Sequence, residues 1–99
     1  MYKEKGLIKV FNGKKFKIVS YHNKKGLVTF ATSSKSHKYA EMRKSNKIKV
    51  KFDGKVKKYL VKLIEDPILV DPLFSELKKN KTIPFFIPRK NKIIVQYHY

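Results

Sequence analysis

Residues 25–46 read KGLVTFATSSKSHKYAEMRKSN, and the fold turns on how this stretch is parsed. Its first part, LVTFA over 27–31, is a continuous apolar run rich in β-branched residues, as expected of a strand covered on both sides. The chain then enters a run of hydroxyls and cations, Thr32-Ser33-Ser34-Lys35-Ser36-His37-Lys38. Beyond it, 36–45 (SHKYAEMRKS) reads as a helix. Ser34 or Ser36 can N-cap it, and Tyr39 and Met42 share a face at i, i+3. A strand that delivers hydroxyls, a ring N–H and ammonium groups to a helix N-terminus makes an anion site, and a terminal phosphate is its commonest occupant.

Outward from this core, turn residues divide the chain. Asn12-Gly13, the group Asn23-Lys24-Lys25-Gly26, and Asp53-Gly54 are hairpin signals, because type I′ turns require positive φ. The segments between them predict strands at 6–11 (GLIKVF), 15–21 (KFKIVSY), 27–31, 47–52 (KIKVKF) and 55–64 (KVKKYLVKLI), with a last strand at 93–97 (IIVQY). In 47–52 the alternation is strict, with Ile48, Val50 and Phe52 facing in and Lys47, Lys49 and Lys51 facing out. In 55–64, Tyr59, Val61 and Leu63 share a face. A second helix is predicted at 72–79 (PLFSELKK), with Asp71 as N-cap, Pro72 in the first position and Asn80 ending it. Residues 82–88 (TIPFFIP) then run extended, since two prolines forbid helix there. The expectation is one domain over residues 1–99, mostly β: a six-stranded antiparallel barrel with two short helices.

Lys and Arg number 25 against 7 Asp and Glu, a net charge of +18, and only Arg43 and Arg89 are arginines. Such an excess points to a phosphate-bearing partner. Lysine is a hydrated point charge, and base reading or bidentate phosphate recognition would call for more arginine. With no cysteine, disulfides and thiolate metal sites are excluded. No apolar run approaches a membrane span, and the first residues carry no signal-peptide apolar region, so a cytoplasmic protein is expected. His22, His37 and His98 lie far apart, and the single His37…Glu41 pair is an ordinary i, i+4 helix contact, so no metal site is expected. The scattered acids Glu4, Glu41, Asp53, Glu65, Asp66, Asp71 and Glu76 form neither a triad nor a carboxylate dyad.

On these residues the chain resembles the flavin-binding split β-barrel of the pyridoxamine 5′-phosphate oxidase-like superfamily. There, a strand similar to KGLVTFAT leads into a Thr-x-x-x-Ser-Arg-Lys segment that opens a short helix ending near an Asn. Here Thr32 is followed by Ser36-His37-Lys38, with Asn46 at the helix end and His37 in place of the usual Arg. Residues 79–85 (KNKTIPF) are similar to a basic, then extended, segment of the deazaflavin-dependent nitroreductase-like branch. The resemblance implies a homodimer with flavins in clefts at its interface, and the phosphate at the helix start. Thr32, Ser33, Ser36, His37 and Lys38 would line that phosphate site, joined by a strand cation, Lys15 or Lys17. It further implies an FMN- or F420-dependent oxidoreductase, leaving open FMN, F420 or no cofactor and whether catalysis occurs. Tyr97 and Tyr99 would flank a flavin ring or pack the barrel, and of Phe85 and Phe86 one would face the core.

A second reading is a nucleic-acid-binding small barrel. Tyr21, Phe30 and Tyr59 would stack bases, and Lys47, Lys49 and Lys51 would follow phosphates.

Overall fold

Three tight turns set the register of the sheet, and two are two-residue loops. Lys24 faces Leu27 across Lys25 and Gly26, and Phe52 faces Lys55 across Asp53 and Gly54. All four loop residues have positive φ, between 53° and 89°, the requirement of a type I′ hairpin. The Asn12-Gly13 signal instead marks a four-residue loop between Phe11 and Phe16. There Asn12 Oδ1 accepts from the amides of Lys14 and Lys15 at 2.9 and 3.0 Å, and only Gly13 has φ above zero.

The computed structural model describes residues 2–79 and 92–99. Its elements are β1 (Lys5–Phe11), β2 (Phe16–Lys24), β3 (Leu27–Ser33), α1 (His37–Ser45), β4 (Lys47–Phe52), β5 (Lys55–Leu60), β6 (Lys62–Ile64), α2 (Pro67–Lys79) and β7 (Lys92–His98). They form one antiparallel sheet ordered β5-β4-β1-β2-β3-β7-β6. The fold class is as expected, mostly β with two helices. The strand count is seven rather than six, because the segment 55–64 breaks at Val61. Its two halves lie on opposite edges of the sheet, β5 on β4 and β6 on β7. One residue therefore carries the chain from the first edge to the last and closes the curled sheet. The Val61 amide is satisfied there by the Asn46 carbonyl at 2.9 Å.

Alternation divides two apolar layers. Inside the curl lie Ile8, Val10, Val19, Tyr21, Val28, Phe30, Ile48, Val50, Ile93, Val95 and Tyr97, with Met42 of α1 among them. Outside it, Ile64 and Ile94 pack with Val70 and Leu77 of α2. The second helix starts at Pro67, five residues before the expected Pro72. Asp66 rather than Asp71 caps it, its Oδ1 accepting from the Ile68 amide at 3.0 Å. Asp71 lies within the helix and pairs with Lys92 Nζ at 2.7 Å. The predicted extended run 82–88, the Asn80 helix end, Phe85 and Phe86 lie outside the described residues.

Aromatic rings close one end of the curl. Tyr2 stacks between Phe52 and Tyr99, with both centroid distances 4.1 Å, and Tyr59 stacks on Tyr97 at 4.7 Å. The hydroxyls of Tyr2 and Tyr97 meet at 3.0 Å. Burial is the first cause that raises both phenols, that of Tyr2 to about 12. Helix α1 covers the opposite end through Met42 and Tyr39. Among the described residues no helix is long and apolar enough to cross a membrane.

Candidate phosphate cradle at the start of helix α1

Strands β2 and β3 pair only where they turn into each other, from His22 to Lys24 against Leu27 to Thr29. The rest of β2 has ladder partners in β1 alone, and the rest of β3 in β7 alone. The sheet is thus split between Phe16–Tyr21 and Phe30–Ser33. Helix α1 begins just past the β3 side of that split.

Three predicted residues build the turn into the helix. Ser36 is the N-cap, with extended backbone, and its Oγ accepts from the Tyr39 amide at 3.1 Å. The same oxygen meets Thr32 Oγ1 at 3.0 Å. Thr32 is 3 % exposed, so this contact satisfies a hydroxyl that has left water. Ser33 contributes its carbonyl to the Ser36 amide at 3.0 Å and its Oγ to the Lys35 amide at 3.2 Å. The helix ends as the sequence suggests, on Asn46 in the left-handed region with its amide on the Met42 carbonyl at 2.7 Å.

Three cations gather nearby. Lys38, in the first turn, is partly buried, and its ammonium is held below the usual lysine value first by that burial and then by Lys17. Lys17 shares the inner face of β2 with Val19 and Tyr21. It is itself lowered chiefly by Lys15, its neighbour two positions back in the chain. Lys15 thus acts on Lys17, and Lys17 on Lys38, across the parting of β2 and β3. His37 is exposed at the first helical position. Its amide and that of Lys38 are first-turn donors, which a helix leaves without internal acceptors. The donor set is all cationic or N–H and O–H in character, and it fits a phosphate.

One further arrangement escaped the sequence reading. Glu65, just after β6, accepts from Tyr39 Oη and from Arg43 Nη1, the latter at 2.7 Å, while Arg43 also donates to Tyr39 Oη at 2.6 Å. This exposed triad ties α1 to the β6–α2 connection. The i, i+4 spacing of Tyr39 and Arg43 was the available signal; their acidic partner lies too far along the chain to be read.

Other expectations need correction. Tyr21 and Phe30 cannot stack on bases, because they are 1 % and 0 % exposed inside the curl. Tyr59 stacks on Tyr97. Of the two aromatics near the chain's last strand, Tyr97 is buried as barrel packing beside Ile93 and Val95, and Tyr99 remains half-exposed. Among the described residues, no cluster of His and acidic side chains is arranged to hold a metal ion.

No protein-family model and no curated protein matches the chain. Solved structures do. An F420 reductase superposes with a TM-score of 0.62 at 14 % identity, over 95 % of this chain and 84 % of that one. A Listeria innocua protein described as a candidate pyridoxamine 5′-phosphate oxidase superposes with a TM-score of 0.62 at 12 % identity, over 96 % of this chain and 82 % of that one. At such identities the likeness shows the fold alone, a split barrel built on a curled antiparallel sheet.

Proposed function

We propose, with that split-barrel fold as premise, that the chain binds a flavin-type cofactor, FMN or F420, by its phosphate at the start of α1. The observation that carries the reading is the Ser36-capped start of α1, tied to Thr32 and set beside the parting of β2 and β3, with Lys38 in its first turn and Lys17 near enough to lower it. Like charges held together cost free energy unless an anion joins them. The two solved neighbours, one an F420 reductase, support a cofactor of this class.

In this reading Lys38 and Lys17 neutralise the phosphate, and the first-turn amides of His37 and Lys38 donate to its oxygens. Thr32 and Ser36 act together. Their mutual hydrogen bond fixes the turn so that the Lys38 stem leaves the helix toward Lys17. Lys15, exposed in the β1–β2 loop, adds long-range attraction, and the unpaired edges of β2 and β3 leave room for a planar ring along strand backbone. A bound flavin or deazaflavin supplies hydride or electron transfer; the protein orients it and provides the electrostatics. An oxidoreductase follows from this reading, as does a homodimer whose partner covers the exposed Ile68 and Leu69 of α2.

The test is cofactor affinity by calorimetry. Ser36→Ala with Lys38→Ala removes the hydroxyl that fixes the turn together with a cation of the cradle, whose charge-assisted bond to a phosphate contributes roughly 1.5–3 kcal/mol. FMN or F420 affinity is expected to fall about a hundredfold or more. A Lys49→Ala, Lys51→Ala control leaves it unchanged. Equal affinity of the cradle variant and the wild-type protein, or no binding of either cofactor by the wild-type protein, overturns the reading.

A further inference from the structure

The outer face of the β2-β1-β4-β5 half of the sheet has a composition that the cofactor cradle does not use. Register places Lys9 opposite Lys51 and Lys49 opposite Lys58, two pairs of like charges directly across the ladder. Directly opposed like charges are destabilising. Lys49 finds partial relief over the Phe11 ring at 4.8 Å; Lys9, Lys51 and Lys58 are exposed. Between these cations stand aliphatic side chains that the fold leaves in water: Leu7 is 61 % exposed, Ile18 54 % and Val56 49 %. β1 pairs with β4 over only two residues. Where the strands diverge, a groove of about 450 Å³ opens, lined by Lys3, Leu7, Lys9, Ile18, Lys51 and Phe52, with Asp53 at its hairpin end.

We propose that this face docks an acidic, extended polypeptide segment that presents both carboxylates and apolar side chains on the side that meets it. Charge complementarity selects the sign of the partner. A second copy presenting the same face would bring ammonium against ammonium, which excludes an isologous contact here. The interleaved aliphatics select the class. Nucleic acid is gripped by arginine and by exposed aromatic platforms, whereas this face has neither: its rings, Phe11 and Phe16, are half-buried and packed on each other at 5.3 Å. Leu7, Ile18 and the groove they line offer burial to an apolar side chain instead.

Fluorescence anisotropy of the full chain with a labelled peptide, EELLEELLE, tests this against EESSEESSE, which has the same charge and no apolar side chains. An oligothymidylate and phosphatidylserine vesicles serve as competing polyanions. The first peptide is expected to bind at least about tenfold more tightly than the second. It is expected to lose about tenfold with Lys9→Glu plus Lys51→Glu, and similarly with Leu7→Ser plus Ile18→Ser. All four side chains are exposed, and the double charge reversal only exchanges one like-charged opposed pair for another, so thermal melts should show both variants folded. Lys58→Glu, on the neighbouring ladder, gives an independent loss if one variant fails to fold. Equal binding of the two peptides, tighter binding of oligothymidylate or vesicles, or an affinity indifferent to these substitutions overturns the proposal.

Discussion

Replacing Ser36 with alanine removes one oxygen with two tasks, and the structure lets the tasks be separated. The first is the helix cap to the Tyr39 amide at 3.1 Å, whose loss costs about 1 kcal/mol. The second is the 3.0 Å contact with Thr32 Oγ1. Thr32 is buried, so its hydroxyl would lose a partner where water does not reach, at a cost of about 1–2 kcal/mol. Ser36→Ala should therefore destabilise the chain by about 2–3 kcal/mol, which for a domain of this size lowers the melting temperature by roughly 10–20 °C. Thr32→Val alone leaves the cap in place and should cost about 1 kcal/mol. The double variant removes both partners of the Thr32–Ser36 bond and replaces the hydroxyls with apolar groups. It should cost only about 1–2 kcal/mol, less than Ser36→Ala alone. Urea denaturation of the four proteins gives the coupling directly. A double variant whose loss equals the sum of the singles to within about 0.5 kcal/mol would refute the coupled-hydroxyl argument.

Other outcomes follow from the same geometry. Lys38 is lowered by burial and then by Lys17, so its charged form is penalised in the fold. Without a bound anion, stability should rise with pH as the medium climbs through its folded value toward the unfolded lysine value of about 10.4. Denaturation with and without FMN should show the cofactor flattening that rise. The Tyr2 phenol, raised to about 12 by burial, contributes stability that is whole below the unfolded tyrosine value of about 10 and is lost as pH rises from there through about 12; Tyr2→Phe should weaken that alkaline loss in the same measurement. Gly13 has φ of +96°, and a Cβ there would sit 2.9 Å from Glu41 Oε1. Gly13→Ala should cost about 1 kcal/mol or more, read from the urea midpoint. Lys25 holds φ of 53° in its type I′ turn, so Lys25→Asn should raise the midpoint by a few tenths of a kcal/mol.

The turns were the most legible part of the chain, because Gly26, Asp53 and Gly54 announce positive φ and the alternation on either side fixes which residues face in. The break at Val61 was not legible. Tyr59, Val61 and Leu63 keep one unbroken period of two across it, and they do face the same interior; only the change of pairing partner separates β5 from β6. The start of α2 was obscured by repetition. Asp66-Pro67 and Asp71-Pro72 are the same cap signal five residues apart, and the stripe Val70, Leu73, Phe74 and Leu77, which packs on β7 and β3, decides for the first. In the candidate site, the hydroxyl and helix-cap roles of Thr32 and Ser36 were readable from local spacing. The approach of Lys17 to Lys38 was not, because it depends on two strands parting after three paired residues. The burial of Tyr21 also escaped, since an aromatic residue on an alternating strand looks alike on either face, whereas that of Phe30 follows from its place in the continuous apolar run 27–31.

The single-residue bridge at Val61 has a consequence for the order of assembly. Strand β7, last in the chain, pairs with β3 in the register Phe30↔Val95 and with β6 in the register Leu63↔Val95. Everything before it can form early from neighbours in sequence: the β1–β2–β3 meander and the β4–β5 hairpin need only short loops. Among the described residues β6, although joined to β5, has no ladder partner except β7. During vectorial synthesis the curl must therefore stay open, with Val28 and Phe30 uncovered, until β7 has left the ribosome. Ring closure is then a zipper between two waiting edges, and the high contact order sits almost entirely in one strand.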